Sequence, residues 1–178
     1  MASGDDLRYP VGRFEHEGPI SDEQLQAWIG EIAALPAQMR AAARGLTDGQ
    51  LDTPYRPGGW TLRQVIHHVP DSHLNAVLRF KLALTQDRPT INPYNEAAWA
   101  ELGDVPVTPV ETSLDLLAAL HARWVALLSS LAPEAWDRTY LHPDDGEISL
   151  RRVPGIYAWH GRHHLAHLTT TIERHGWH

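Results

Sequence analysis

The chain has 178 residues, room for one domain spanning positions 1–178. Its formal charge of −7, from 15 Lys+Arg against 22 Asp+Glu, opposes the phosphate neutralisation on which general nucleic-acid binding depends, so no nucleic-acid partner is expected. The absence of cysteine excludes disulfides, cysteine-ligated zinc or iron–sulfur sites, and a thiol nucleophile supplied by the protein.

The first 25 residues lack an apolar run of the secretory kind, and no stretch elsewhere approaches the roughly 20 apolar residues of a membrane span, so a soluble, cytoplasmic protein without a membrane partner is expected. Ser21 with Gln24 forms a capping-box signature ahead of Leu25, Trp28, Ile29, Ile32 and Leu35, which predicts a first helix over about 21–45. Pro36 inside it should break or kink it. The turn-rich TPYRPGGW (53–60) gives way to Leu62, Ile66, Val69, Ala76, Phe80 and Leu84 at helical spacing, a second helix over about 61–85 interrupted by Pro70. Four prolines between Gln86 and Val110 predict a long crossing connection able to cover a pocket, with a turn of helix around Glu96 to Leu102. A third helix over about 112–131 has Leu114, Leu117, Leu120, Trp124, Leu127 and Leu128 as its buried stripe. RTYLHPDDGEISL reads as a β-hairpin, and a fourth helix covers about 154–175. The predicted fold class is all-α, a four-helix bundle with a long crossover and a small hairpin before the last helix.

Histidine, the commonest neutral metal ligand, occurs 12 times. The fourth helix holds His160, His163, His164 and His167 within two turns, where spacings of three and four return side chains to one face. A pair at i,i+4 is a bidentate clamp whose nitrogens the backbone sets near each other before an ion arrives. The second helix offers His67, His68 and His73: His73 projects near the centre of the apolar stripe, where a hydrogen-bonded core histidine is expected, and His67 and His68 lie about 130° away on opposite flanks. Periodicity does not choose among them, and Pro70 distorts the projection. Two ligands from the last helix and one from the second would leave a coordination position open, the mark of a catalytic rather than a structural metal, unless Asp71, Glu96, Asp144 or Glu147 closes it.

YPVGRFE, LDTPYRPGGWTLRQVIHHVPDSHLNAVLRFKLALT, NPYNEAAWAEL, LHPDDGEISL and YAWHGRHHLAHL resemble the YfiT-like branch of the DinB superfamily over nearly the whole length. The resemblance implies a DinB-type bundle binding one zinc or nickel ion per chain through three histidines. These are His68, eight residues after the tryptophan of GGWT, with His160 and His164; His67, His163 and His167 are left as neighbours. It also implies a metal-dependent hydrolase, or an S-transferase working with a bacillithiol-type low-molecular-weight thiol and a small-molecule electrophile, and association as a homodimer. The residues lean towards a thiol: no HExxH places a carboxylate base beside the ligands, Asp71 being the nearest candidate, whereas a coordinated thiol is deprotonated by the metal itself. Arg162, with Arg79, Arg151 and Arg152 behind it, is the candidate for binding carboxylates of such a cosubstrate. The alternative is a non-catalytic, stress-related metal-binding protein.

Overall fold

The computed structural model describes residues 7–177. Helix α1 spans Asp22–Ala43, α2 Asp48–Leu51, α3 Leu62–Thr85, α4 Glu96–Trp99, α5 Val110–Ser129 and α6 Val153–His175; a 3-10 turn at Pro133–Asp137 leads into strands β1 (Thr139–His142) and β2 (Gly146–Ser149). The protein is thus mostly helical, a four-helix bundle with a two-stranded hairpin before the last helix.

Local signals set most of these boundaries. Ser21 Oγ accepts from the Gln24 amide to open α1, and full capping boxes open α2 (Thr47, Gln50) and α3 (Thr61, Gln64). Gly176, at φ 65°, closes α6 in the left-handed conformation. The expected breaks at Pro36 and Pro70 do not occur: α1 and α3 each run on past their proline. Each proline removes one backbone bond, but buried side chains on both sides keep the two halves of the helix docked against the same neighbours, and packing outweighs that loss. Helix α2 and the 3-10 turn, both short, were not predicted. On α5 the buried face is Val110, Leu114, Leu117, His121, Trp124 and Leu128; Leu120 and Leu127 are only half-buried, and His121 takes the place expected of Leu120.

Helices α1 and α3 each pack against both α5 and α6. Residues 86–109 form the crossover from α3 to α5. It is pinned at one end where Ile91 N donates to Leu141 O and Leu141 N to Pro89 O, and at the other where Gln64 Nε2 donates to Ala100 O and Glu101 Oε1. One apolar cluster gathers Trp28, Phe80, Trp124 and Trp136, another Leu35, Met39, Leu62, Leu117 and Leu168. Between them lies a layer of polar side chains from α3, α5 and α6, in which Ser72, His73, His121 and His164 are buried and His160 is half-buried. No helix among the described residues is long and apolar enough to cross a membrane.

Candidate metal centre

Helix α6 carries His160 and His164 one turn apart, and α3 brings His68 across to them. One nitrogen from each of the three rings lies within 4.8 Å of the others. His68 Nε2 is 3.3 Å from His160 Nε2, which matches the roughly 3.3 Å between two donors on a tetrahedral zinc with bonds of about 2.0–2.1 Å. All three rings are neutral. Burial pushes His68 down to about 4, with the nearby His163 adding to it, and burial also drives His160 and His164 well below the ordinary histidine value. Three neutral, desolvated imidazoles are the donor set that zinc or nickel accepts.

Behind these three rings, His160 Nδ1 lies 3.1 Å from His73 Nε2; His73 Nδ1 lies 2.8 Å from His121 Nε2; and His121 Nδ1 lies 2.6 Å from the Ile32 carbonyl. His73 is fully buried and bonded at both nitrogens, the core histidine that its place on the stripe implied. Behind His164, its Nδ1 is 3.3 Å from His167 Nδ1, and His167 Nε2 is 3.2 Å from the Arg8 carbonyl. His167, held down to about 3 mainly by burial, stacks on Tyr55 with ring centroids 3.8 Å apart. His67 turns away to Ser113, its Nδ1 2.7 Å from the hydroxyl.

In front of the three rings opens a cavity of about 400 Å³ lined by Arg8, Tyr55, Arg56, Trp60, Glu96 and Trp159 among others. The loop before α3 shapes its wall. Gly58 takes φ 67°, and a Cβ on Gly59 would come within 2.7 Å of Arg56 Cγ and 3.1 Å of the Tyr55 ring, so the two glycines let the chain close around these side chains. Trp60 then packs on the His68 ring at 4.7 Å.

The other expected residues lie elsewhere. Arg162 pairs with Glu31 and lines a separate cavity between α1 and α6. Arg151 binds Asp22 and the Ile20 carbonyl, Arg152 the His16 carbonyl, and Arg79 the Asn92 carbonyl. Asp71 is half-buried, with burial and neighbouring Asp104 raising its carboxyl, and it does not line the cavity. Asp144 and Glu147 sit on the hairpin. Of the carboxylates considered, only Glu96 reaches the cavity, beside Arg8 and Arg56, which the sequence did not single out.

A four-helix bundle with a long crossover and a histidine triad at the base of an open cavity defines a class of protein, and the comparisons agree with it. The chain belongs to the DinB superfamily, whose family profile matches residues 31–168. A Bacillus cereus (strain AH820) protein named "Putative metal-dependent hydrolase" is 54% identical over 172 residues, covering 97% of this chain and 99% of the relative, and a Bacillus mycoides (strain KBAB4) protein with the same descriptive name matches equally well. Among solved structures, YfiT from Bacillus subtilis, described as "a probable metal-dependent hydrolase with an unusual four-helix bundle topology", superposes with a TM-score of 0.94 at 46% identity, covering 97% of this chain and 99% of that one. TT2238, a four-helix bundle protein 21% identical, shares the fold with a TM-score of 0.56 over 82% of this chain and 98% of its own.

Proposed function

We propose that this protein is a metal-dependent enzyme of the DinB/YfiT type, in which His68, His160 and His164 hold one divalent cation, zinc or nickel, and the cavity before them receives a small electrophile with either water or a low-molecular-weight thiol. The observation that carries this reading is the convergence on an open cavity of three neutral imidazoles from two helices, His68 and His164 buried and His160 half-buried. Relatives named as metal-dependent hydrolases over the same length support it. When bound, the cation supplies a positive charge that lowers the pKa of the incoming nucleophile and polarises the electrophile.

The chain's own residues do the rest. A triad of neutral rings leaves that charge uncancelled, which favours an anionic partner. Arg8 and Arg56 line the cavity with no carboxylate within 4 Å of either among the described residues, and they receive the anionic end of the substrate or thiol. Glu96, presented from α4 by the crossover, is the carboxylate that can take a proton when water is the nucleophile. Trp60 and Trp159 wall the cavity.

The test combines metal analysis of purified protein with turnover of an electrophile panel, with and without added thiol, for the wild type and His160→Ala. One metal per chain and turnover lost in the variant are expected; a thiol requirement identifies the S-transferase, thiol-independent turnover the hydrolase. A wild type that binds metal without turning over any substrate leaves the non-catalytic reading standing, and one that takes up no zinc or nickel refutes the metal centre.

A further inference from the structure

We propose that His73, His121 and His167 are positioning residues: two hydrogen-bond relays, each ending on a main-chain carbonyl, fix the protons of His160 and His164 so that Nε2 of each is a free donor before any metal arrives. The inference rests on the metal centre proposed above and adds to it a mechanism of preorganisation.

The direction of each relay follows from its last member. A carbonyl oxygen only accepts, so the His121 nitrogen facing Ile32 O at 2.6 Å, Nδ1, carries the proton. A neutral ring has one proton, so His121 Nε2 is an acceptor, and His73 Nδ1, 2.8 Å away, must donate to it. His73 Nε2 is then an acceptor, and His160 Nδ1 at 3.1 Å donates to it. The proton of His160 is thereby assigned to Nδ1, and Nε2, the atom 3.3 Å from His68 Nε2, is a lone pair. The second relay runs by the same logic. Arg8 O takes the His167 Nε2 proton, His167 Nδ1 accepts, His164 Nδ1 donates at 3.3 Å, and His164 Nε2 is left proton-free.

Neutrality follows from the surroundings: His73 is 0% and His121 1% exposed, and their hydrogen-bond partners are other imidazoles and a carbonyl, none of them an acid. A layer of apolar side chains would pack as well between the two clusters, but it would leave each ligand ring free to spin and to place its proton on either nitrogen. Two carbonyls 24 residues apart in sequence, Arg8 and Ile32, instead lock both rings of an i,i+4 clamp in one tautomer.

Long-range ¹⁵N–¹H correlation of the imidazoles in the metal-free wild-type protein reads these protons directly. The expected pattern is Nδ1–H for His73, His121, His160 and His164, and Nε2–H for His167. A proton on Nε2 of His160 or His164 overturns the proposal. The second measurement is the Zn²⁺ dissociation constant, by competition with a chromophoric chelator. His73→Met and His167→Met, which fill space but accept no proton from the ligand, are expected to weaken binding by about 10–100-fold. His73→Gln and His167→Asn place an amide oxygen near the lost acceptor nitrogen and should recover most of that loss, which a merely space-filling role would not produce. Met variants that bind zinc as tightly as the wild type refute the positioning role, and a variant that fails to fold leaves the decision to the wild-type tautomers. Wild-type protein showing these tautomers but taking up no zinc would sink the metal reading rather than the relays.

Discussion

Acidification should unfold this protein, in its metal-free form, well before its carboxylates titrate. Burial holds His68, His121 and His163 neutral down to about 4 and His167 to about 3, and it holds His73, His160 and His164 well below their ordinary value. In the unfolded chain the same rings titrate near 6.5. Between those limits the unfolded state binds more protons than the folded one, so stability is full above the unfolded value and is lost as pH falls below it. Lowering the pH from 7.5 to 5.5 costs about 1.3 kcal/mol for each such ring. His68, His121, His163 and His167 stay unprotonated in the folded state throughout this window, so their costs add to roughly 5 kcal/mol, and His73, His160 and His164 shift in the same direction; the loss is comparable to the 5–15 kcal/mol stability of an ordinary domain. Urea denaturation of chelator-treated protein at pH 7.5, 6.5 and 5.5, followed by circular dichroism, should show a steep decline, with little folded protein left near pH 5. Bound zinc should move the transition to lower pH, because it competes with protons for the ligands. A stability independent of pH between 7.5 and 5.5 would show that these rings are protonated or solvated in the folded state.

Three further outcomes follow from particular contacts. Free zinc at 100 times its dissociation constant should stabilise the wild type by about 2.7 kcal/mol, a rise in Tm of roughly 5–10 °C for a chain of this length, and His160→Ala should gain neither; an equal rise in the variant would place the ion elsewhere. Gly155→Ala puts a Cβ 2.9 Å from Trp28 Cη2 and Cζ3 and 3.0 Å from Phe14 Cζ. Two rings packed edge to face cannot yield cheaply, so denaturant melts should record a loss of about 1–3 kcal/mol, and no loss would mean that α1 and α6 part freely. Arg56→Met should raise KM for a carboxylate-bearing substrate or thiol about tenfold or more, the worth of a charged hydrogen bond, while leaving metal stoichiometry untouched; an unchanged KM excludes Arg56 from binding.

The four long helices were legible because apolar residues recur at helical spacing, because Ser21 with Gln24 marks the start of the first and because the turn-rich TPYRPGGW precedes the second. The prolines misled because local propensity is weaker than a buried face on both sides of the break. In the site, the i,i+4 spacing of His160 and His164 was visible as a clamp, but the partner on α3 was not: His67, His68 and His73 are spread over more than half the circumference of a helix that is buried nearly all round, and only the family resemblance selected His68. His121 escaped notice because it sits four residues after Leu117 and three before Trp124, in the place of a core residue. Arg162 could have been set aside from spacing alone, since two residues from His160 is about 200° around the helix, on the face that meets Glu31. Arg8 and Arg56 could not have been found, because nothing local tells which loops a fold brings together.

The second histidine group on α6 bears on how many ions the layer accepts. His163, His164 and His167 also bring one nitrogen each within 4.8 Å of the others, and His163 Nδ1 is buried without a hydrogen-bond partner among the described residues. This group shares His164 with the triad, so filling both would require His164 to bind metal through both nitrogens and to give up its last proton. The proposed relay opposes that: in it His164 Nδ1 donates to His167, whose Nε2 is committed to Arg8 O. On the proposed relay, the same hydrogen bonds that make His164 a donor towards the triad make it a poor ligand on its other side, so on that proposal the histidine-rich helix serves one ion, with His167 as its support.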